Sequence, residues 1–228
     1  MNRKKLLASF FLFACVLAGM AMAQTAPGRD RTIEELYLSQ NIELQMIRNQ
    51  ALSNDWELRM LALQNLGAMS AEGRFGGDNS AAFSVLEQLS KQEQPTNTKN
   101  FNLVRREACN LLGEIGGEKS QKILLDVMMN DQEPMVLAEA AYALGRIGGD
   151  KNGEVLGKLM WVLHKENIKP APDNNFAFAT LLAIEKLAKS EDGLKHPEAL
   201  NVMIEIMESN YIRDVKMKTL DVIYKLRK

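Results

Sequence analysis

The side chains that most often do nucleophilic or metal chemistry are scarce: two histidines, His164 and His196, and two cysteines, Cys15 and Cys109. A cysteine nucleophile needs a base beside it, and both histidines lie far along the chain from Cys109. His164-Lys-Glu166 has the opening of the zinc-deaminase pattern, but no Pro-Cys-x-x-Cys follows it. Val155-Leu-Gly-Lys158 lacks the glycine spacing of a phosphate loop. Asp126, Asp131 and Glu133 crowd together, as do Asp173 and Asn174, without the regular oxygen-ligand loop of a calcium site. Helix capping accounts for them instead. No HExxH, GxSxG or CxxC occurs. The expectation is a non-enzyme with no catalytic residue, no metal and no cofactor. Cys109 is expected to be a small buried side chain, and His164 a surface residue.

The stretch that organises the chain is Asp131 to Gly149 (DQEPMVLAEAAYALGRIGG). Pro134 suits the first turn of a helix, where its missing N–H would lack a partner anyway. Gly148 or Gly149 can take the left-handed conformation that stops one. Between them Val136, Ala140, Ala141, Ala143, Leu144 and Ile147 form one wide apolar face.

The same pattern recurs. Val104–Gly117 aligns with Val136–Gly149 without a gap, and Leu58–Gly67 is a third copy. Phe176–Ala188 and Val215–Leu226 are weaker copies without the glycine. Aligned on Gly67, Gly113, Gly145, Glu185 and Tyr224, the spacings are 46, 32, 40 and 39 residues. Each copy follows a second amphipathic segment, and a two-helix unit of about 40 residues is the period of a helical solenoid. On Asp131, Pro134, Val136, Ala140, Leu144, Gly145 and Ile147, with Val104, Arg105, Ala108, Leu112, Gly113 and Ile115, residues 32–228 resemble the HEAT-repeat family. The likeness is to the short bacterial repeats also found in phycobilin-lyase-like proteins. It implies an all-α fold, a right-handed α-α superhelix of about five repeats, with the second helix of each repeat on the inside of the curve. Leu137 and Ala177 depart from the family by standing where it usually has arginine.

The N-terminus adds an address. Arg3, Lys4 and Lys5, an apolar run from Leu6, and Ala21-Met-Ala23 read as a signal peptide over residues 1–23. A loose lipoprotein motif ending at Cys15 and an uncleaved anchor over Leu6–Ala23 are the alternatives. Cleavage leaves 205 residues, with 25 basic against 29 acidic side chains, a net charge of −4. The expectation is therefore a periplasmic or secreted monomer with no membrane span. Its mixed, mildly acidic surface gives no reason to bind nucleic acid. Only Cys109 remains, so no internal disulfide forms. The ten remaining methionines are expected to fill the core.

In chain order, residues 24–31 read as a disordered leader. The first outer helix, capped by Thr32 and Glu35, is expected to reach Ala51 with a break near Ser39–Asn41. Asn54, with Glu57 three residues on, is expected to cap the next helix, 55–70. Helices are then expected over 80–91, 101–115, 119–129, the stretch to Ile147, 153–166, 176–189, 197–209 and from 212 to the end. Phe75 lies in a glycine-rich loop, 71–79. Two longer loops, 92–100 and 168–175, join outer to inner helices on one edge, where long loops often carry function.

Gly113 and Gly145 sit inside helices, where each costs about 1 kcal/mol relative to alanine. Close approach of the next inner helix is the expected compensation, and the loss of glycine at Glu185 and Tyr224 predicts looser spacing there. Counting back from the aligned positions, residues nine, five and one before them should face the core. Residues seven and three before them line up on another side: Met60 and Gln64, Arg106 and Asn110, Ala138 and Tyr142, Phe178 and Leu182, Met217 and Asp221. Arg106, Asn110, Tyr142, Phe178 and Leu182 are the candidate partner-binding residues, aromatic and arginine anchors of the hot-spot kind. The alternative places Phe178 and Leu182 in the core. The function expected is an exported scaffold that binds a protein or peptide on its inner surface. A structural cell-envelope component and a lyase-like enzyme accessory are the other two readings.

Overall fold

The computed structural model describes residues 33–75, 79–91, 100–150, 152–190, 193–194 and 198–226. The chain divides into two compact units, Met1–Glu43 and Leu44–Lys228. The signal peptide, the leader, the Thr32 cap, Pro197 and residues 92–99 lie outside the described residues.

Ten helices are described: α1 (Ile33–Ala51), α2 (Trp56–Ala71), α3 (Ser80–Ser90), α4 (Phe101–Ile115), α5 (Gly117–Asn130), α6 (Pro134–Ile147), α7 (Glu154–Asn167), α8 (Asn174–Leu187), α9 (Glu198–Glu208) and α10 (Arg213–Leu226). From α3 onward they pair as successive two-helix repeats, α3 with α4, α5 with α6, α7 with α8 and α9 with α10. Helices α2, α4, α6, α8 and α10 form one layer in which each touches the next, and α3, α5, α7 and α9 form a second layer over it. This is a HEAT-like α solenoid. Two-residue strands, Lys189–Ser190 and Gly193–Leu194, pair antiparallel between α8 and α9, where the sequence suggests only helix and loop.

The core lies between the layers. Val104, Ala108 and Leu112 of α4, Val136, Ala140 and Leu144 of α6, and Phe176 and Ile184 of α8 are all essentially inaccessible. Where two later copies replace the inner alanine, Thr180 and Thr219 are equally buried. Each hydroxyl donates to the carbonyl four residues back, Phe176 at 2.8 Å and Val215 at 2.9 Å, so the slot accepts a polar residue without an orphaned group. Cys109 is buried, and burial raises its thiol pKa far above the ordinary value.

Gly113 and Gly145 show the expected close approach, whereas a Cβ on the aligned Gly67 would meet only Leu111 Cδ1 at 3.7 Å. A Cβ on Gly145 would stand 2.6 Å from the Cα of Ala183 in α8, and one on Gly113 would stand 2.7 Å from the Cβ of Ala143 in α6. Glu185, at the next register, instead accepts from Lys218 of α10 at 2.6 Å and from Lys225 at 2.8 Å.

Several boundaries differ from the sequence reading. Helix α1 runs unbroken through Ser39–Asn41, because no proline or glycine interrupts it. Asp55, not Asn54, caps α2, accepting from the Glu57 N–H at 2.9 Å. Asp173 caps α8 by accepting from the Phe176 N–H at 2.8 Å. That starts the helix at Asn174 and shortens the preceding loop. Helix α5 begins at Gly117, because Gly116 (φ 73°) ends α4 and leads straight into it. Phe75 is not a loop bystander, since it packs edge-on to Phe83 at 5.9 Å against the core. The methionines divide: Met69, Met128, Met160 and Met203 are buried, whereas Met46, Met129, Met135 and Met217 are exposed.

Candidate interaction surface

Which side of the inner layer meets solvent follows from helix geometry. The aligned position faces the next inner helix, and the residue before it faces the core. The opposite side therefore presents residues ten, seven or six, and three before it, and one after it. The accessibilities agree. Met135, Tyr142, Phe178 and Met217 are 41%, 41%, 38% and 53% exposed. Leu182, Arg106 and Asn110 are partly exposed, whereas Ala138 is buried. The alternative that puts Phe178 in the core is thus overturned. At that register Phe176 fills the interior, and Phe178, two residues on, stands on the opposite side of α8.

The five candidate residues do not play equal parts. Asn110 is engaged in holding the repeats together. Arg146 of α6 donates from Nη2 to the Asn110 carbonyl at 2.5 Å and to its Oδ1 at 3.0 Å. Gly113 makes room for this strap, since a Cβ there would lie 2.6 Å from Arg146 Nη2. Tyr142 is flanked by two cations, Arg146 and Lys186, 5.9 Å and 5.8 Å from its ring centroid. Arg106 lies in the field of Glu139, whose carboxyl is raised by burial and drawn back down by Arg106 and Arg146.

The sequence reading passed over Arg146 and Lys186. Both stand one residue after the aligned position, as do Glu114 and Lys225. The register that picked out Tyr142 could have found them. It also left Asp131 as a capping residue only. Asp131 does accept from the Glu133 N–H at 2.9 Å, but its carboxylate also pairs with Arg105 Nε at 2.6 Å, almost wholly out of solvent. Leu137 and Ala177, which replace arginine at the same register of α6 and α8, are buried and apolar.

His164 is a surface residue, and its Nδ1 lies 2.9 Å from the Glu205 carboxylate. A cleft of about 480 Å³ between the start of α5 and the α6–α7 loop mixes Glu118, Lys122 and Asp150 in its walls. Asp150 is already committed there to capping α7, through the Val155 and Leu156 N–H groups. Among the described residues no group of three or more His, Cys, Asp or Glu side chains could hold a metal ion. No described helix is long and apolar enough to cross a membrane.

Comparison with known proteins agrees with this architecture. A family model described as HEAT repeats matches residues 96–167. A search of curated proteins gave no match. Among solved structures, the chain is similar to a chain in the complex of CpcE and CpcF of phycocyanin lyase from Nostoc sp. PCC7120. The TM-score is 0.56 with 18% sequence identity, over 90% of this chain and 68% of that one. At that identity the likeness is one of fold. Residues 96–167 carry HEAT repeats, and the layered helices around them make a HEAT-like α solenoid.

Proposed function

We propose that this chain is an exported, non-catalytic, monomeric scaffold that binds a protein or peptide partner on its inner-helix surface. The observation that carries the reading is the exposure of Tyr142 and Phe178 on that surface. Two neighbouring inner helices thus present aromatic rings to solvent while their interior positions are filled. Repeat stacks offer extended surfaces and lack a deep central pocket, and exposed aromatic side chains beside arginine are the usual anchors of binding. The similar solved chain belongs to a complex of two proteins, which fits a protein partner.

The test is a native pull-down from envelope extracts with the wild-type chain and with the Tyr142→Ala and Arg106→Ala variants. Capture of a discrete protein that both variants lose, at unchanged melting temperature, supports the reading. Sedimentation with insoluble cell wall instead would favour a structural envelope role. A preparation that carries a bound chromophore would favour a lyase-like accessory. Export is tested separately: mass spectrometry of the exported protein should find Gln24 at the N-terminus. A diacylglyceryl group on Cys15 would replace cleavage after Ala23 with lipid anchoring.

A further inference from the structure

The inner side carries thioethers as well as rings. Met135 of α6 and Met217 of α10 are both exposed. Met217 is the counterpart on α10 of Phe178 on α8, and Met135 stands two turns before Tyr142 on the same side of α6. Met46 and Met129 are as open to solvent, but they belong to α1 and α5 and not to the inner layer. Met69, Met128, Met160 and Met203 are closed off in the core. Met135 has a further feature. The amide of Asn175, at the same register of α8, places its Nδ2 4.0 Å from the Met135 sulfur. A thioether accepts an N–H only weakly, whereas an oxygen carried on that sulfur would accept it strongly.

We propose that Met135 and Met217 are oxidation sites, through which a peroxide makes the apolar strip of the inner surface polar. The thioether lone pair attacks one peroxide oxygen. The S–O bond forms as the O–O bond breaks, and the departing hydroxide takes the proton of the transferred hydroxyl and leaves as water. Sulfur is oxidised by two electrons and the peroxide is reduced. The sulfoxide is polar where the thioether was apolar, and at Met135 the Asn175 amide stands ready to receive its oxygen. Neither side chain fills the core, so the change falls on the surface and leaves the fold standing. The inference goes beyond the binding reading above, because the modification is read without a partner.

The test is hydrogen peroxide on the folded full chain, followed over time by peptide mass mapping. Met135 and Met217 should gain oxygen about tenfold faster than Met69, Met128, Met160 and Met203, with the melting temperature unchanged. Retention of the oxidised chain on a hydrophobic-interaction column should fall, because such retention follows contiguous apolar patches. The Met135→Leu/Met217→Leu variant should lose most of that fall, and Met46→Leu/Met129→Leu should keep most of it. Core methionines that react as fast as these two would overturn the inference. So would a melting temperature that falls in step with their oxidation, or a Met135→Leu/Met217→Leu variant whose retention falls as far as the wild type's. Each of these leaves the binding reading standing. That reading fails separately, if Tyr142→Ala and Arg106→Ala capture as much in the pull-down as the wild type.

Discussion

Gly145 of α6 lies against the backbone of α8 at Ala183, so close that a Cβ on the glycine would stand 2.6 Å from the alanine's Cα. Backbone cannot step aside as a flexible side chain can. Gly145→Leu should therefore cost about 3 kcal/mol or more, a fall of roughly 6–12 °C in melting temperature for a chain of this size. Glu185→Leu at the aligned position meets side chains instead and should cost about 1 kcal/mol, through its lost ion pairs. Thermal unfolding of the two variants checks this, and equal melting temperatures would break the alignment on which the repeat register rests.

Asp131 joins the α5–α6 turn to α4 through Arg105. Removing one member of a pair this deeply buried leaves the other charge uncompensated, so Asp131→Ala should cost about 3 kcal/mol in urea unfolding. The Arg105→Leu/Asp131→Ala double variant should cost less than the two single changes added together, because α6 and α8 manage the same register with Leu137 and Ala177.

Cys109 should be inert in the folded chain. Its thiol is buried, and burial raises its pKa far above the ordinary value, so little thiolate is present to react. Iodoacetamide at mildly alkaline pH should leave Cys109 unmodified in native protein and carbamidomethylate it after unfolding in guanidinium, read by peptide mass mapping. Modification of the native chain would show that α4 opens.

Acid should loosen the α8–α10 junction. The Glu185 carboxyl is held below its ordinary value of 4.5 by hydrogen bonds from Lys218 and Lys225, and Asp221 below 3.8 by Lys225 and Lys218. The unfolded chain takes up these protons more readily than the folded one. Their stabilisation is thus present above the ordinary values and is lost as pH falls through the lowered ones. Glu139 has the opposite sign: its carboxyl is raised by burial, so it favours the folded state most at low pH and loses that effect as pH rises through its raised value. Melting temperature should fall less between pH 6 and pH 3 in Glu185→Gln than in the wild type. An identical fall would remove Glu185 from the acid response.

Much of this architecture is legible in the sequence, because a repeat writes its register several times. The match of Val104–Gly117 to Val136–Gly149 located α4 and α6, and two glycines inside helices pointed to close approach between neighbours. The exposed register was legible for the same reason at Tyr142, whereas the sequence left Phe178 and Leu182 open between surface and core, and the exposure of Phe178 decides it. What stayed hidden depends on contacts between distant residues. Arg105 meets Asp131 across 26 positions, and Arg146 meets Asn110 across 36. The core-facing role of Phe75 depends on where Phe83 stands, and composition does not carry that information. Helix starts at Asp55 and Asp173 hinged on which of two adjacent polar residues turns its oxygen to the backbone, a choice the local sequence leaves open.

The replacement of glycine by Glu185 also sets how the stack responds to load. From α4 to α8 neighbouring inner helices touch at the backbone, with no give between them. From α8 to α10 the tie is two long lysine side chains gripping carboxylates. Such a tie can lengthen, tilt and re-form without losing its partners. A load on the inner surface would therefore be taken up at the α8–α10 junction before the backbone contacts between α4, α6 and α8 yield. Under the proposed reading, a rigid floor with a compliant end would let one chain accept segments of different bulk without rebuilding its core.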